Sequence, residues 1–323
     1  MVTASAAPRF DLKFMGDWGN ANFHVIVGWI AANLRWRSAP GSKFVIYTGT
    51  GYRDNVDAVA TGQVDLAVTT PWNLTLEWAT AGKHFFEGTP YPHLRTLGYL
   101  PQDDRLVFAV RADTGITSFA DLKARRFPLR IATTCRDRAN LMSYAVERVF
   151  RAHAIDSGEI EVWGGKWLEH DHPRRCLPMV TRGEADAVIN EAIMVPQWYE
   201  LVEKVPMRFI PMEEEALREL HSNFGLRPAV LPKGRLKAER DIPCLDWSNW
   251  AIVVRDDMPH DIAYLITAVM VEERAELEGR YRHLPAERSP MTYPIDPYKM
   301  WTGLGAPLHP GAERYYREKG YMK

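Results

Sequence analysis

Three short apolar runs in the first quarter of the chain share one pattern: each ends in small polar residues and then passes into residues spaced like a helix. The runs with their polar ends cover residues 12–20, 44–51 and 66–72. This pattern predicts strands that are followed directly by helices. Ligands of open α/β sheets bind beside the carboxyl ends of strands and the amino ends of the next helices, so we expect a binding site at these junctions.

The order of the elements predicts parallel strands. Strand, helix, strand, helix and strand follow one another over residues 12–68 with connections of a few residues, which favours right-handed crossovers. The same order returns in residues 129–152, which predict a strand, a polar junction and an amphipathic helix. Residues 180–190 also repeat the helix end, glycine, acidic turn and strand of residues 59–70. We therefore expect two units built in the same way.

Two closely spaced strands, at residues 94–100 and 105–110, mark the passage between the units, and residues 250–254 predict a strand that returns. A chain of 323 residues also exceeds what one core usually fills. We predict an α/β clamshell in which each lobe is a doubly wound, mostly parallel sheet with flanking helices. The predicted lobes are residues 1–107 with 250–323 and residues 108–249, with the ligand cleft and the hinge between them.

Charge and hydropathy argue against two classes of partner. Lys plus Arg number 40 and Asp plus Glu number 41, so no overall field favours nucleic acid. No apolar run approaches the roughly 18 residues that span a bilayer, so the chain is not predicted to cross a membrane. Residues 1–8 lack the basic start and apolar core of an intact signal peptide, which fits an exported protein without its signal as well as a cytoplasmic one.

Metal and catalytic motifs are weak. Residues 169–172, Glu-His-Asp-His, place two histidines on one face of an extended segment, but no further ligands can be assigned, so we expect a polar loop and no metal. Cys135, Cys176 and Cys244 lack zinc-site spacing and are either inert thiols or include one disulfide. Gly-x-Ser-x-Gly, His-Glu-x-x-His and a phosphate-binding loop with its lysine are all missing. We predict no cofactor and no enzymatic activity.

Hydroxyls and main-chain amides at the junctions are the candidate ligand contacts, because such groups bind a carboxylate at little desolvation cost. Aromatic residues there would form flat walls for an aromatic or extended ligand body. The alternatives are turns and helix caps for the polar residues and core packing for the aromatic ones. The predicted contacts in lobe 1 are Trp18, Asn20, Thr50, Gly51, Tyr52, Thr69, Thr70 and Trp72. Those in lobe 2 are Thr133, Arg136, Arg138, Asn190, Glu191 and Trp247.

Charged residues in lobe 2 suggest an anion clamp. Arg136 and Arg138 lie where a helix begins, a place where the helix dipole disfavours cations, and binding of an anion would explain them. The alternative is a solvated arginine or a pair with Asp137. Asn190 and Glu191 end a strand, and Glu191 would accept an amine from the ligand, pair with Arg136 in the empty site, or simply start a helix.

Four segments spread over nearly the whole chain carry a family resemblance. They are residues 48–56 (TGTGYRDNV), 62–67 (GQVDLA), 110–123 (VRADTGITSFADLK) and 308–320 (LHPGAERYYREKG). In these segments the chain resembles the TAXI family, the extracytoplasmic solute receptors associated with TRAP transporters. The last segment is the most specific, and we expect its His309 to lie at a helix entry, because proline and glycine follow it.

The resemblance implies the two-lobed fold of type II periplasmic binding proteins and a small organic anion as ligand, with glutamate-like and 2-oxo acids as the family's usual choices. It also implies a TRAP membrane subunit as partner and a periplasmic location, and we expect a monomer. The family's glycine-rich junctions correspond to residues 17–22 and 133–138, which are not glycine-rich here, so the ligand itself does not carry over. The alternatives are an enzyme on the same fold, such as a decarboxylase of aromatic acids, or a cytoplasmic ligand sensor.

Overall fold

The computed structural model describes residues 8–137, 140–192 and 196–323. These residues form two compact units. Unit 1 contains residues 8–102, 249–283 and 291–323, and unit 2 contains the described residues of 103–248 together with 284–290.

Strands and helices alternate through most of the chain. The strands are β1 (Asp11–Asp17), β2 (Lys43–Gly49), β3 (Leu66–Thr69), β4 (Leu94–Leu100), β5 (Arg105–Arg111), β6 (Arg130–Thr134), β7 (Lys166–His170), β8 (Ala187–Glu191), β9 (Met207–Ile210), β10 (Pro228–Leu231), β11 (Ile242–Asp246) and β12 (Trp250–Arg255). The helices are α1 (Asn22–Trp36), α2 (Arg53–Ala60), α3 (Trp72–Ala81), α4 (Phe119–Arg125), α5 (Leu141–Ala152), α6 (Ser157–Val162), α7 (Pro173–Thr181), α8 (Gln197–Lys204), α9 (Glu214–Phe224), α10 (His260–Glu272), α11 (Arg274–Gly279) and α12 (Pro310–Glu318). Within the described residues, no helix has the length and apolar character needed to cross a membrane.

Unit 1 is built on a sheet with the strand order β2-β1-β3-β12-β4. Strands β1, β2 and β3 are parallel, and the pairing of Asp17 with Gly49 brings their carboxyl ends to one edge of the sheet. Strand β12 is antiparallel to β3, so its first residue, Trp250, lies at that same edge, opposite Leu100. The three junctions predicted from the sequence therefore meet at one place.

Unit 2 contains a mixed sheet in the order β10-β11-β5-β8-β6-β7, with β9 also paired to β5. The predicted parallel arrangement is found for β7, β6 and β8. In contrast, β5 runs antiparallel to β8, β9 and β11, and β10 runs antiparallel to β11. The expectation of a mostly parallel sheet is thus wrong for this unit, because four strands are added to the parallel core by antiparallel pairing.

The unit boundaries also differ from the predicted ones. The predicted boundary at residue 107 falls inside β5, which belongs wholly to unit 2 because all its strand partners lie there. Residues 284–290 belong to unit 2 as well, since the Tyr199 hydroxyl donates to the carbonyl of Glu287 at 2.5 Å and the guanidinium of Arg288 lies 4.7 Å from the Tyr199 ring centre.

The cores follow the predicted apolar spacing. Helix α1 packs against β1 and α10 with Ile26, Val27, Ile30 and Leu34, which are all 0% exposed and share one helix face. Burying each such side chain contributes about 1.5–3 kcal/mol. Unit 2 has its own apolar cluster between the sheet and helices α7 and α8. Each unit therefore has a core that holds its strand ends in place.

One buried amide ties the strand ends of unit 1 together. Asn55, in the first turn of α2, is 0% exposed. Its Oδ1 accepts a hydrogen bond from the Gly51 N–H at 3.2 Å, and its Nδ2 donates to the carbonyls of Val68 at 2.9 Å and Gly16 at 3.3 Å. These partners lie on β3, on β1 and in the connection after β2, so a single side chain fixes the edge at which all three strands end.

Replacing Asn55 with leucine is expected to lower the free energy of unfolding by about 3 kcal/mol, since three hydrogen bonds at about 1 kcal/mol each are lost and their buried partners are left unpaired. Urea denaturation followed by circular dichroism measures this change. Asn20→Ala is the control, because Asn20 is exposed, and it is expected to change stability by no more than about 0.5 kcal/mol. A loss below about 1 kcal/mol for Asn55→Leu would contradict the role given to this amide.

Candidate functional site

The predicted site residues of lobe 1 gather at one edge of the unit 1 sheet. We call this the unit 1 edge and define it as residues 17–22, 49–52, 69–72 and 249–250. Each of the parallel strands β1, β2 and β3 ends there, and the next helix begins within a few residues. The amino ends of α1, α2 and α3 consequently lie beside the strand ends, which is the arrangement that binds anions in α/β proteins.

Most of the predicted donors after β2 are already used within the protein. The main-chain N–H and the hydroxyl of Thr50 both donate to the Asp54 carboxylate, each at 2.6 Å. The Gly51 N–H donates to Asn55. Gly51 has a φ of +87°, and a Cβ here would come within 2.6 Å of the Phe23 ring, so glycine is required by the backbone and by packing. Thr50 and Gly51 thus shape the edge rather than offering it free donors.

The threonines after β3 are also engaged. The hydroxyl of Thr69 donates to the Gly51 carbonyl at 3.0 Å, and that of Thr70 donates to the Asn249 carbonyl at 3.1 Å. Both side chains are buried, at 0% and 2% exposed. Their hydroxyl protons join β3 to its neighbours, which is the capping and turn-forming alternative considered from the sequence.

Helix α3 begins at the unit 1 edge without an acidic residue in its first turn. The start of α1 is met by Asp17, which accepts from the His24 N–H at 2.8 Å, and the start of α2 carries Asp54. Helix α3 has Pro71 at its N-cap with no side-chain cap, and no acidic residue in its first turn. The positive end of the α3 dipole is therefore a candidate contact for an anionic ligand.

A second donor at the unit 1 edge was not predicted. Trp250 is 0% exposed, and within the described residues its indole Nε1 has no hydrogen-bond partner. The Trp250 ring meets Phe23 edge to face, with ring centres 6.2 Å apart, and Phe23 in turn packs on Gly51. A buried N–H without a partner costs about 1–3 kcal/mol, so a group that accepts from it would be stabilising.

The aromatic candidates divide between core and edge. Tyr52 is 2% exposed and Trp247, in unit 2, is 0% exposed, so both are core residues in the described structure. Trp72 is 7% exposed and packs on Tyr99, with ring centres 4.4 Å apart. Trp18 is half-buried, in a left-handed conformation with a φ of +34°. Trp72 and Trp18 remain candidates for ligand contact, and Asn20 is exposed at the same edge.

In unit 2, the carboxyl ends of β6 and β8 bring several polar side chains into the interior. Thr133 is 0% exposed and donates through its hydroxyl to the Ile189 carbonyl at 3.2 Å. Asn190 is also 0% exposed, and its Oδ1 accepts from the Glu191 N–H at 2.8 Å. Glu191 is 6% exposed and hydrogen-bonds the carboxyl of Asp104.

Asp104 and Glu191 form a buried carboxyl pair in unit 2. Asp104 is 0% exposed, and its Oδ1 accepts from the N–H groups of Arg105 at 2.7 Å and Ala192 at 2.9 Å. Burial, together with the charge of Glu191, raises the pKa of Asp104 well above its ordinary value. Two hydrogen-bonded carboxyls require a proton between them, so the pair carries one negative charge less than two separate acids.

The predicted arginine clamp is not found in the described residues. Arg136 donates to Glu169 at 2.6 Å, approaches Glu161 at 3.9 Å and lies 5.1 Å from the centre of the Trp167 ring. Its expected pairing with Glu191 is replaced by these contacts, because β6 pairs with β7 and places Glu169 beside Thr133. Arg138, the other predicted clamp residue, lies outside the described residues.

The Glu-His-Asp-His segment has structural partners. His172 caps α7 by accepting from the Arg174 N–H at 3.2 Å, and burial followed by the charge of Arg174 lowers the pKa of His172 to about 4. His170 accepts from the His172 N–H at 3.0 Å. Among the described residues, no three metal-ligating side chains come together.

The three cysteines are free thiols in the described residues. Cys176 and Cys244 are buried, and burial raises the pKa of each thiol to about 12. Cys135 is half-buried and also has a raised pKa, since burial and nearby carboxylates disfavour its thiolate. Inert thiols, one of the two alternatives from the sequence, are what the structure contains.

Solved structures with similar folds come from periplasmic proteins, among others. A protein from Bordetella bronchiseptica RB50 matches with a TM-score of 0.56 and 11% identity, over 97% of this chain and 98% of that chain. A structure described as a periplasmic transporter matches with a TM-score of 0.53 and 10% identity, over 98% and 95% of the two chains. A TctC solute binding protein from Polaromonas matches with a TM-score of 0.51 and 13% identity, over 97% of each chain. The predicted fold class, the α/β fold of periplasmic binding proteins, is confirmed.

The family follows from the sequence itself. The profile of the NMT1-like family matches residues 32–320, which include nearly all of both units. The chain belongs to the NMT1-like family.

The raised pKa of Asp104 predicts a pH dependence of stability. An acid whose folded pKa is raised favours folding at low pH, and that contribution is lost as pH rises from the unfolded pKa, near 4, through the folded one. In Asp104→Asn, the amide oxygen still accepts from the N–H groups of Arg105 and Ala192. The amide N–H donates to Glu191, so no shared proton is needed. We expect its stability relative to the wild type to increase as pH rises from about 4 to 8. Urea denaturation across this range measures the difference.

Asp186→Asn is the matched control, because the pKa of Asp186 is shifted in the opposite direction to that of Asp104. Burial alone would raise the pKa of Asp186, but its hydrogen bonds and ion pair with Arg130 lower it overall. This variant is expected to lose stability relative to the wild type as pH rises towards about 4 and to show a nearly constant difference from about pH 5 to 8. If Asp104→Asn behaved like Asp186→Asn, the shared proton would be absent.

Proposed function

We propose that the protein is a receptor that binds a small organic anion and releases it unchanged to a membrane transporter. The observation that carries this proposal is that two groups lie at the unit 1 edge: the start of α3, which has no side-chain cap, and the indole N–H of Trp250, which has no partner within the described residues. Both groups are donors, and neither is a nucleophile or a base. Such a set favours binding of a carboxylate over chemical change of it.

A carboxylate suits these donors better than a cation or an apolar group. The α3 dipole adds partial positive charge, and Pro71 at the N-cap brings no competing acceptor. A hydrogen bond from a buried donor to a charged acceptor contributes about 1.5–3 kcal/mol. Together, these contacts account for recognition of an acid without an arginine at this edge.

The body of the ligand is proposed to be aromatic or extended and apolar. Support comes from Trp72, the first residue of α3, which packs on Tyr99 beside the proposed carboxylate donors. A flat apolar surface next to a carboxylate donor set suits an aryl or long-chain acid. Trp18 and Asn20 are the further proposed contacts in unit 1.

The partner and location are proposed from the family resemblance. The four TAXI-like segments support a TRAP-type membrane subunit as the partner, a periplasmic location and a monomeric receptor. In the most specific segment His309 caps α12, accepting from the Gly311 N–H at 3.1 Å, as expected from the sequence. Gly311 lies so close to His260 that a Cβ would meet the His260 carbonyl oxygen at 2.2 Å, so packing requires glycine at this position.

Trp250→Phe tests the carboxylate donor, since it removes the indole N–H and keeps an aromatic ring. We expect affinity for the best-bound acid among benzoate, phthalate, 2-oxoglutarate and L-glutamate to fall by about tenfold or more, in line with the loss of one charged hydrogen bond. Titration calorimetry measures the affinity.

Trp29→Phe is the matched control. Trp29 is 1% exposed, its Nε1 also lacks a partner in the described residues, and it lies two turns into α1, away from the unit 1 edge. The control is expected to bind as the wild type does. Equal affinity of Trp250→Phe and Trp29→Phe for the acid would contradict the proposed contact.

A further inference from the structure

Two fully buried polar atoms without partners lie side by side in unit 2. The parallel pairing of Ala132 with Val188, continued by two residues, places Thr134 next to Asn190 at the carboxyl ends of β6 and β8. Both residues are 0% exposed. In the described part of the chain, Thr134 Oγ1 and Asn190 Nδ2 have no hydrogen-bond partner. We call these residues the Thr134–Asn190 pair.

The sheet face that carries the Thr134–Asn190 pair is apolar one step towards the core, while His170 of β7 pairs with Thr134. Ala132 and Val188, two residues earlier on the same sheet face, belong to the core cluster that α7 and α8 cover. A valine and a leucine would continue that face without leaving a polar atom unpaired. The sequence instead puts a hydroxyl and a carboxamide at this position, and polar groups kept in a core at a cost to stability mark functional sites.

The hydrogen bonding of the Asn190 carboxamide indicates which chemical group would complete it. Its Oδ1 accepts from the Glu191 N–H at 2.8 Å, which fixes the orientation and leaves both N–H donors of Nδ2 unused. The Thr134 hydroxyl supplies one further donor. A group that satisfies these donors has oxygen acceptors and no need to donate, as a carboxylate or a carbonyl does.

We propose that the Thr134–Asn190 pair binds an acceptor oxygen of an organic acid, which gives unit 2 a ligand contact of its own. The inference rests on the proposed function for the class of ligand, but not on any residue of the unit 1 edge. In unit 2, these neutral donors bind the acid in place of the predicted arginine clamp, because Arg136 is paired with Glu169.

Thr134→Val tests the proposal, with Thr133→Val as its control. The two threonines are adjacent and equally buried, but the Thr133 hydroxyl already donates to Ile189. Thr134→Val is expected to leave the ligand-free protein as stable as the wild type or more so, and to lower affinity for the best-bound acid of the four named above by about tenfold. Thr133→Val is expected to lower the midpoint of urea unfolding.

Asn190→Asp is the second variant. It keeps the acceptor for the Glu191 N–H but replaces the two donors with an oxygen, so it is expected to weaken binding of the same acid by at least as much as Thr134→Val. A bound acid whose affinity is unchanged in both variants would overturn this inference and leave the proposed function standing. Loss of stability in Thr134→Val equal to that in Thr133→Val would also overturn it, because the hydroxyl would then have a partner without ligand. Failure of all four acids to bind the wild type would overturn both proposals.

Discussion

The carboxamide of Asn55 is the interaction on which the unit 1 site depends. Main-chain pairing of β1 with β2 and with β3 aligns the three parallel strands, and a side chain that hydrogen-bonds to all three strand ends holds the connections after them. Asn55 makes that connection by accepting from Gly51 and donating to Gly16 and Val68. With the strand ends fixed, the start of α3 and the indole of Trp250 are held in place without a ligand, which lowers the cost of ordering them on binding.

The polar groups at the unit 1 edge are of two kinds: those that hydrogen-bond within the protein and those proposed to bind a ligand. The hydroxyl of Thr50 donates to the Asp54 carboxylate. The hydroxyls of Thr69 and Thr70 donate to the main-chain carbonyls of Gly51 and Asn249. Within the described residues, the indole N–H of Trp250 remains without an acceptor. Unit 2 follows the same rule, since the Thr133 hydroxyl donates to Ile189 and the hydroxyl of its neighbour Thr134 has no partner among the residues that the structure describes. In both units the proposed recognition uses neutral, preorganised donors, which suits a ligand that must be released as well as bound.

The sequence predicted the strand and helix framework well where the elements are buried and amphipathic. Strand β4 has the predicted bounds, β5 extends one residue beyond them, and α4 begins after Ser118, which accepts from the Asp121 N–H as a capping residue should. The region from β9 to β11 was not predicted, because β9 and β10 are only four residues long and β10 is largely exposed, so neither shows a clear alternation. Only the end of α7, near residue 180, was predicted, because Pro178 lies inside the helix and interrupts its pattern.

The positions of the site junctions were predictable, but the roles of individual residues were not. The link between Thr50 and Asp54 is local and could have been read from the four-residue spacing. Arg136, by contrast, finds its partner 33 residues away, and only the pairing of β6 with β7 reveals it. Trp250 was missed as a donor because β12 runs antiparallel to β3, so its first residue, not its last, lies at the edge.

The most direct test of the central claim is native mass spectrometry of the protein incubated with a panel of aromatic and aliphatic carboxylic acids, followed by identification of the released molecule. The account predicts that one molecule of an acid is retained per chain and is recovered unaltered after prolonged incubation. Retention of no acid from the panel, or recovery of a decarboxylated or otherwise converted product, would contradict it.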